Sequence, residues 1–223
     1  MEPRIKVSRC EDDVIEIEKK PVEKGLIVFY GDSGFTCWQP KYYDNPSLEE
    51  TLLDKKGNKA ALNHGFGGAT AEEMLYYYPR LVRPYAPRAL VLNTFGNDEA
   101  AGYSPFEIDY LTSRILEYAR EDFPGIKLYL CNMRPCLVRK PDPPKRCVRF
   151  TEYNGLCRDY CLKHPDVRLI DQTGYPGFYE DPAHAGEKEY IREDIFVADK
   201  VHFNSAGYAE YLKLFKNVLS DIL

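Results

Sequence analysis

The sequence predicts an α/β domain, a three-layer α/β/α sandwich around a central, mostly parallel five-stranded sheet. Short apolar runs alternate with segments of helical period along most of the chain, which is the pattern of strands joined by crossover helices. A length of 223 residues with 44% hydrophobic against 29% charged residues supplies one core of the size such domains bury. The apolar runs fall at 26–30, 60–63, 89–94, 126–132 and 167–170, with helical candidates at about 47–54, 70–83, 105–122, 149–163 and 205–222. Ahead of the first run, 5–8 and 14–18 alternate apolar and polar residues around Glu11, Asp12 and Asp13. That alternation predicts a small N-terminal β-hairpin appendage within 1–24. No internal repeat or low-complexity tract divides the chain, so 1–223 reads as a single domain.

Thirty Lys and Arg against 35 Asp and Glu leave a formal charge of -5. Without a concentrated basic face, nucleic acid is not an expected partner. No apolar run approaches the roughly 20 residues of a membrane-spanning helix. The charged stretch 1–13 does not read as a signal peptide, so a soluble, cytoplasmic protein is expected. Seven cysteines are an odd number in a chain large enough to fold without staples, which favours reduced thiols over a disulfide framework. Cys157 and Cys161 lie one helical turn apart near His164, but with no CxxC pair the simpler reading is buried thiols, and no metal is expected.

Two long connections follow predicted strands: 133–149 is basic and proline-rich, and 171–198 carries Tyr175, Phe178, Tyr179, Tyr190 and Phe196. Ligands of open α/β sheets bind outside the carboxyl ends of the strands, where both connections emerge. Four short blocks also lie at strand ends or near the C-terminus: Gly31-Asp32-Ser33, Asn63-His64-Gly65-Phe66-Gly67-Gly68, Gly96-Asn97-Asp98 and Asp199-Lys200-Val201-His202. A lone serine after a strand is most often a cap or turn residue. With a histidine to take its proton and a carboxylate to orient that histidine, it becomes a candidate nucleophile, and Asp199 and His202 can supply both from one turn. The glycine run lacks a GKS or GKT ending and GxGxxG spacing, so it is not a phosphate loop. Asn97 offers donors for a developing oxyanion.

In their order, these blocks resemble the SGNH hydrolases, also called the GDSL esterase/lipase family, from about residue 26 to the C-terminus. The resemblance implies a flavodoxin-like fold and a serine esterase needing no cofactor. It places the nucleophile at Ser33, acid and base at Asp199 and His202, and the oxyanion hole at Ser33, Gly68 and Asn97. Two positions depart from the family pattern: Gly34 stands where leucine is usual, and Phe95 where the third block usually opens with glycine. Gly31-Asp32-Ser33-Gly34-Phe35 is not the GxSxG elbow of α/β-hydrolases, because its fifth residue is Phe.

The expected mechanism is attack by Ser33 on an ester carbonyl, with His202 as general base and acid and an acyl-enzyme as intermediate. Aromatic residues near the blocks, with Trp38, His64 and Tyr175 as candidate substrate contacts, suit a small or oligosaccharide acyl ester, so a short-chain esterase such as a carbohydrate O-deacetylase is the first reading. A lysophospholipase or thioesterase for longer chains is the alternative. A third reading is a non-catalytic carbohydrate-binding or scaffold protein of the same fold. Homo-oligomerisation is compatible with the sequence.

Overall fold

A computed structural model describes residues 7–137 and 145–223. Five strands form one parallel sheet: β1 (Ile27–Gly31), β2 (Ala61–Gly65), β3 (Ala89–Asn93), β4 (Lys127–Cys131) and β5 (Val167–Ile170), in the order β2-β1-β3-β4-β5. Every residue of β1, β2 and β3 is buried, as expected when helices cover both faces. Side chains alternate between the two layers. Val28 and Tyr30 enter one core with Leu90 and Leu92, while Ile27 and Phe29 enter the other with Val91 and Tyr129.

The helices are α1 (Glu11–Glu18), α2 (Ser33–Thr36), α3 (Leu48–Thr51), α4 (Ala71–Leu81), α5 (Gly96–Ala100), α6 (Pro105–Asp122), α7 (Lys145–Lys163) and α8 (Ser205–Val218). Buried residues of α1, α4 and α6 line the first core, and those of α2, α3 and α8 the second. Capping chemistry fixes two starts. Thr70 and Glu73 close a capping box on α4, and Ser104 and Glu107 close another on α6, where Pro105 occupies the first helical position. The helix expected over 47–54 is reduced to Leu48–Thr51, because Leu53 turns away to bridge Lys59.

The N-terminal hairpin is corrected: Val7–Cys10 is a 3-10 turn and Glu11–Glu18 a helix, while 1–6 lie outside the described residues. Glu11, Asp12 and Asp13 form the first helical turn, where the macrodipole favours negative charge, instead of a strand-linking turn. Cys10, Val14 and Ile17 then share one buried face at helical spacing. Arg80 of α4 holds the helix through Glu11 and both carboxylate oxygens of Glu18.

Ser104→Ala should remove the side-chain half of the α6 capping box. A loss of about 1 kcal/mol corresponds to a melting point roughly 2–4 °C lower, measurable by thermal denaturation; an unchanged melting point would show that the cap contributes nothing.

Candidate active site

In a sheet ordered 2-1-3-4-5, the loops after β1 and β3 leave toward opposite faces and open a crevice at the carboxyl ends. Ser33 opens α2 directly after β1. Asp32 caps that helix, its Oδ1 accepting from the Gly34 amide at 2.8 Å and from Asn93 Nδ2 at 3.1 Å. From the other end of the chain, His202 Nε2 lies 3.0 Å from Ser33 Oγ and His202 Nδ1 2.6 Å from Asp199 Oδ2. An ionised carboxylate can only accept, so Nδ1 carries the proton and Nε2 is left to accept from the serine hydroxyl. Burial pushes the Asp199 carboxyl up, but hydrogen bonds from the His202 side chain and from the His202 and Val201 amides outweigh it and hold the group below its usual range. The arrangement can therefore keep one imidazole tautomer and draw a proton from Ser33.

Of the three residues expected to hold an oxyanion, Ser33 and Asn97 line the same cavity. Among the described residues neither the Ser33 nor the Gly68 amide N–H has a hydrogen-bond acceptor. Asn97 Nδ2 donates to Ala69 O at 3.0 Å, which leaves its second N–H unspent and ties the third block to the glycine loop. Ser33, Asn97 and His202 line one cavity of about 220 Å³ with Asp32, Met133 and Arg134. Gly68 is not on that wall. It lies with φ +73° in the adjoining loop, where Arg9 Nη2 reaches its carbonyl at 2.7 Å.

Three expected substrate contacts are displaced. Trp38 is fully buried between Tyr208 and Tyr211, at ring distances of 5.4 and 5.3 Å, and is core. His64 is buried edge-on to Tyr85 and donates from Nδ1 to Leu81 O at 2.6 Å. Burial lowers its pKa to about 4, so it is neutral. Tyr175 packs on Phe178 and turns its hydroxyl to Glu210. An aromatic side chain near a motif serves the core as readily as a ligand, and the sequence does not separate the two uses.

The structure adds residues that sequence reasoning missed. Tyr43, about half exposed, sets its ring 6.5 Å from that of His202. Arg134, in the basic connection that follows β4, is partly buried on the cavity wall. Tyr43, Asp44, Phe95 and Lys200 all have positive φ, and all lie in or beside the segments that carry the site; such strain clusters where geometry matters. Phe95 supplies the conformation (φ +106°) for which glycine is the usual residue.

Behind Asn97, the Asp98 carboxyl is buried. Its Oδ1 accepts from the Ala71 amide at 2.7 Å, while Oδ2 has no hydrogen-bond partner among the described residues. Burial raises its pKa to about 7, with repulsion from Asp32 adding to the effect.

A parallel, doubly wound sheet with serine, histidine and aspartate in hydrogen-bonded series at its switch point has the layout of a serine hydrolase. Residues 29–210 match the GDSL-like Lipase/Acylhydrolase family, and the chain belongs to it; it is an ester hydrolase of the GDSL/SGNH type. It is similar in structure to a GDSL-like lipase from Bacteroides thetaiotaomicron VPI-5482, with TM-score 0.72, 18% identity, and 98% of this chain and 100% of that one covered. A lipase/acylhydrolase from Enterococcus faecalis gives TM-score 0.66 at 20% identity over 88% and 96% of the two chains. AlinE4, an SGNH-hydrolase family esterase, gives 0.57 at 24% over 92% and 99%. At these identities the likeness establishes the fold. No curated protein matches the chain. Among the described residues no helix is long and apolar enough to cross a membrane, and no cluster of potential metal ligands occurs.

Asp98 binds a proton in the folded state that the unfolded chain loses near pH 4, so its contribution to stability declines as pH rises from about 4 to 7. Asp98→Asn keeps the acceptor for Ala71 and removes the buried charge. Thermal melts should find the variant at least as stable as wild type at pH 8, with its advantage vanishing toward pH 4; a deficit of equal size at both pH values would refute this account.

Proposed function

We propose that the chain hydrolyses short-chain acyl esters, acetyl esters first, through an acyl-enzyme on Ser33. The supporting observation is the unbroken series from Ser33 Oγ to His202 at 3.0 Å and on to Asp199 at 2.6 Å. His202 Nε2 takes the hydroxyl proton as Oγ attacks the carbonyl carbon. The negative charge that develops on the carbonyl oxygen is met by the Ser33 amide and the spare Asn97 N–H. His202 returns the proton to the departing alcohol, then activates water against the acyl-enzyme. Asp199 stays ionised and stabilises the imidazolium in both half-reactions.

The short-chain preference rests on size. A cavity of about 220 Å³ falls below the usual range of roughly 300–1,000 Å³ for sites that take drug-sized ligands. It suits an acetyl or butyryl group, not a fatty acyl chain. On the alcohol side, the exposed Tyr43 ring beside His202 offers an aromatic face for a sugar, which supports an O-acetylated carbohydrate. Six described cysteines are free, as in a reducing compartment, which fits action in the cytoplasm as one domain spanning 1–223.

Initial rates on p-nitrophenyl acetate, butyrate, octanoate and palmitate should fall steeply beyond butyrate. Ser33→Ala should lower turnover by at least about 10³-fold, and Asn97→Ala by about 10²- to 10³-fold. Preference for octanoate or longer would replace this reading with a lysophospholipase or thioesterase. Equal rates for wild type and Ser33→Ala would leave a binding protein.

A further inference from the structure

Gly34 follows the nucleophile where the family resemblance expects leucine, and the structure shows what occupies the vacated space. A Cβ at Gly34 would lie 3.1 Å from Asp32 Oδ1 and 3.4 Å from both Arg134 Nε and Asn93 Nδ2. A longer side chain would compete with the Arg134 guanidinium for the same volume.

Arg134 lies shortly after β4 and reaches both halves of the site. Its Nη1 donates to the Val201 carbonyl at 2.8 Å, and its Cζ lies 4.9 Å from the Phe203 ring centroid. Val201 and Phe203 flank His202 in the chain, while Gly34 adjoins Ser33. One planar cation thus contacts the neighbours of the base on both sides, lies where a side chain at the neighbour of the nucleophile would reach it, and shares the cavity wall with Ser33 and His202. An independent tie runs from the same segment: the Leu137 amide donates to the Lys200 carbonyl at 2.8 Å. Within the Asp199–His202 turn Asp199 is exposed and the other three residues are partly buried; the turn is closed on itself by Lys200 N–H donating to the Val197 carbonyl and Val197 N–H to the His202 carbonyl, with Lys200 at φ +63°. Ser33 and His202 are 169 residues apart in sequence, so the hydrogen bond between them depends on whatever fixes one segment against the other. Guanidinium suits this task because its donors are rigid and coplanar and its face stacks on an aromatic ring; a flexible ammonium offers neither property.

We propose that Arg134 is a positioning residue that locks the turn carrying Asp199 and His202 against the loop carrying Ser33, and that Gly34 gives it the room to do so. The proposal rests on the esterase reading above. It differs from two plainer roles, a buried countercharge for Asp32 and a hook for an anionic substrate. The countercharge exists, since the Arg134 charge opposes the upward pull of burial on Asp32. A countercharge alone would require no contact with Val201 or Phe203.

The test measures steady-state rates on p-nitrophenyl acetate, a neutral substrate, together with the rate at which a fluorophosphonate labels Ser33, a direct readout of nucleophile activation. Arg134→Met should lower kcat and the labelling rate together by about 10²-fold, the scale of a misplacement near 1 Å, with KM little changed. Arg134→Ala should recover both rates with added guanidinium and not with ammonium. Arg134→Lys should stay impaired. Gly34→Leu should cost as much as Arg134→Met, and the two together little more than either. A folded Arg134→Lys that labels at the wild-type rate would overturn the proposal, and this variant decides the matter if Arg134→Met or Arg134→Ala melts below the assay temperature. An effect confined to KM would make Arg134 a substrate contact, and loss of activity without guanidinium rescue would make it a structural countercharge; either result overturns the proposal. Wild-type protein with neither Ser33-dependent turnover nor labelling would instead overturn the esterase reading and the role of Arg134 with it.

Discussion

The site depends on how closely helix α2 can settle onto the ends of β1 and β2. Gly31 ends β1 with its α-carbon so near the next segment that a Cβ would stand 2.8 Å from the Asn93 carbonyl and 2.9 Å from the Phe35 ring. Gly65, at the end of β2, would set a Cβ 2.8 Å from the Phe35 Cβ and 2.9 Å from its carbonyl carbon. Real side chains do not tolerate such distances, so these glycines let the α2 backbone rest directly on the sheet. Asp32 and Ser33 thereby take positions set by strand register and not by a free loop.

A buried polar network extends that control across the sheet. Gln172, after β5, donates to Asn93 Oδ1 at 2.9 Å and to the Asn132 carbonyl at 2.6 Å, and Asn93 passes the connection to Asp32. The Tyr211 hydroxyl of α8 closes on Gln172 Oε1. The carboxyl ends of β1, β3, β4 and β5 are thus joined by side-chain amides whose hydrogen bonds are well satisfied. In a low-dielectric interior such a network rigidifies, where a partly satisfied one would destabilise. The buried carboxylate of Asp32 is supported by this network, with Arg134 supplying the opposite charge.

Fold class, the five strands and four site blocks were legible in the sequence because each depends on local pattern. Continuous apolar runs marked strands buried on both faces, and the order of the four short blocks, three at strand ends and one before the last helix, carried the family resemblance. What was not legible depended on tertiary placement. The stretch 14–18 reads equally as alternation or as a helix start, and only the core that receives Val14 and Ile17 decides between them. Trp38 is indistinguishable by type from a sugar platform until Tyr208 and Tyr211 close on it. Arg134 sits in a basic, proline-rich run whose sequence does not distinguish it from its charged neighbours, yet its guanidinium lies on the cavity wall beside Gly34.

Phe95 shows how the protein tolerates strain beside Asn97. A non-glycine residue at φ +106° costs of order 1–3 kcal/mol, which glycine would avoid. Its ring, however, is buried and stacks on Tyr153 at 4.3 Å. Tyr153 is anchored in turn through Thr94, 2.6 Å from its hydroxyl. Truncating a buried phenylalanine typically costs about 3–5 kcal/mol, so packing outweighs backbone strain and the unusual dihedral persists. The outcome is more than neutral for geometry. A glycine at this position would leave the backbone before Asn97 freer to relax, whereas a phenylalanine buried against Tyr153 of α7 is held by its ring. The side chain that breaks the family pattern thus fixes the approach to Asn97 that the usual glycine would only permit.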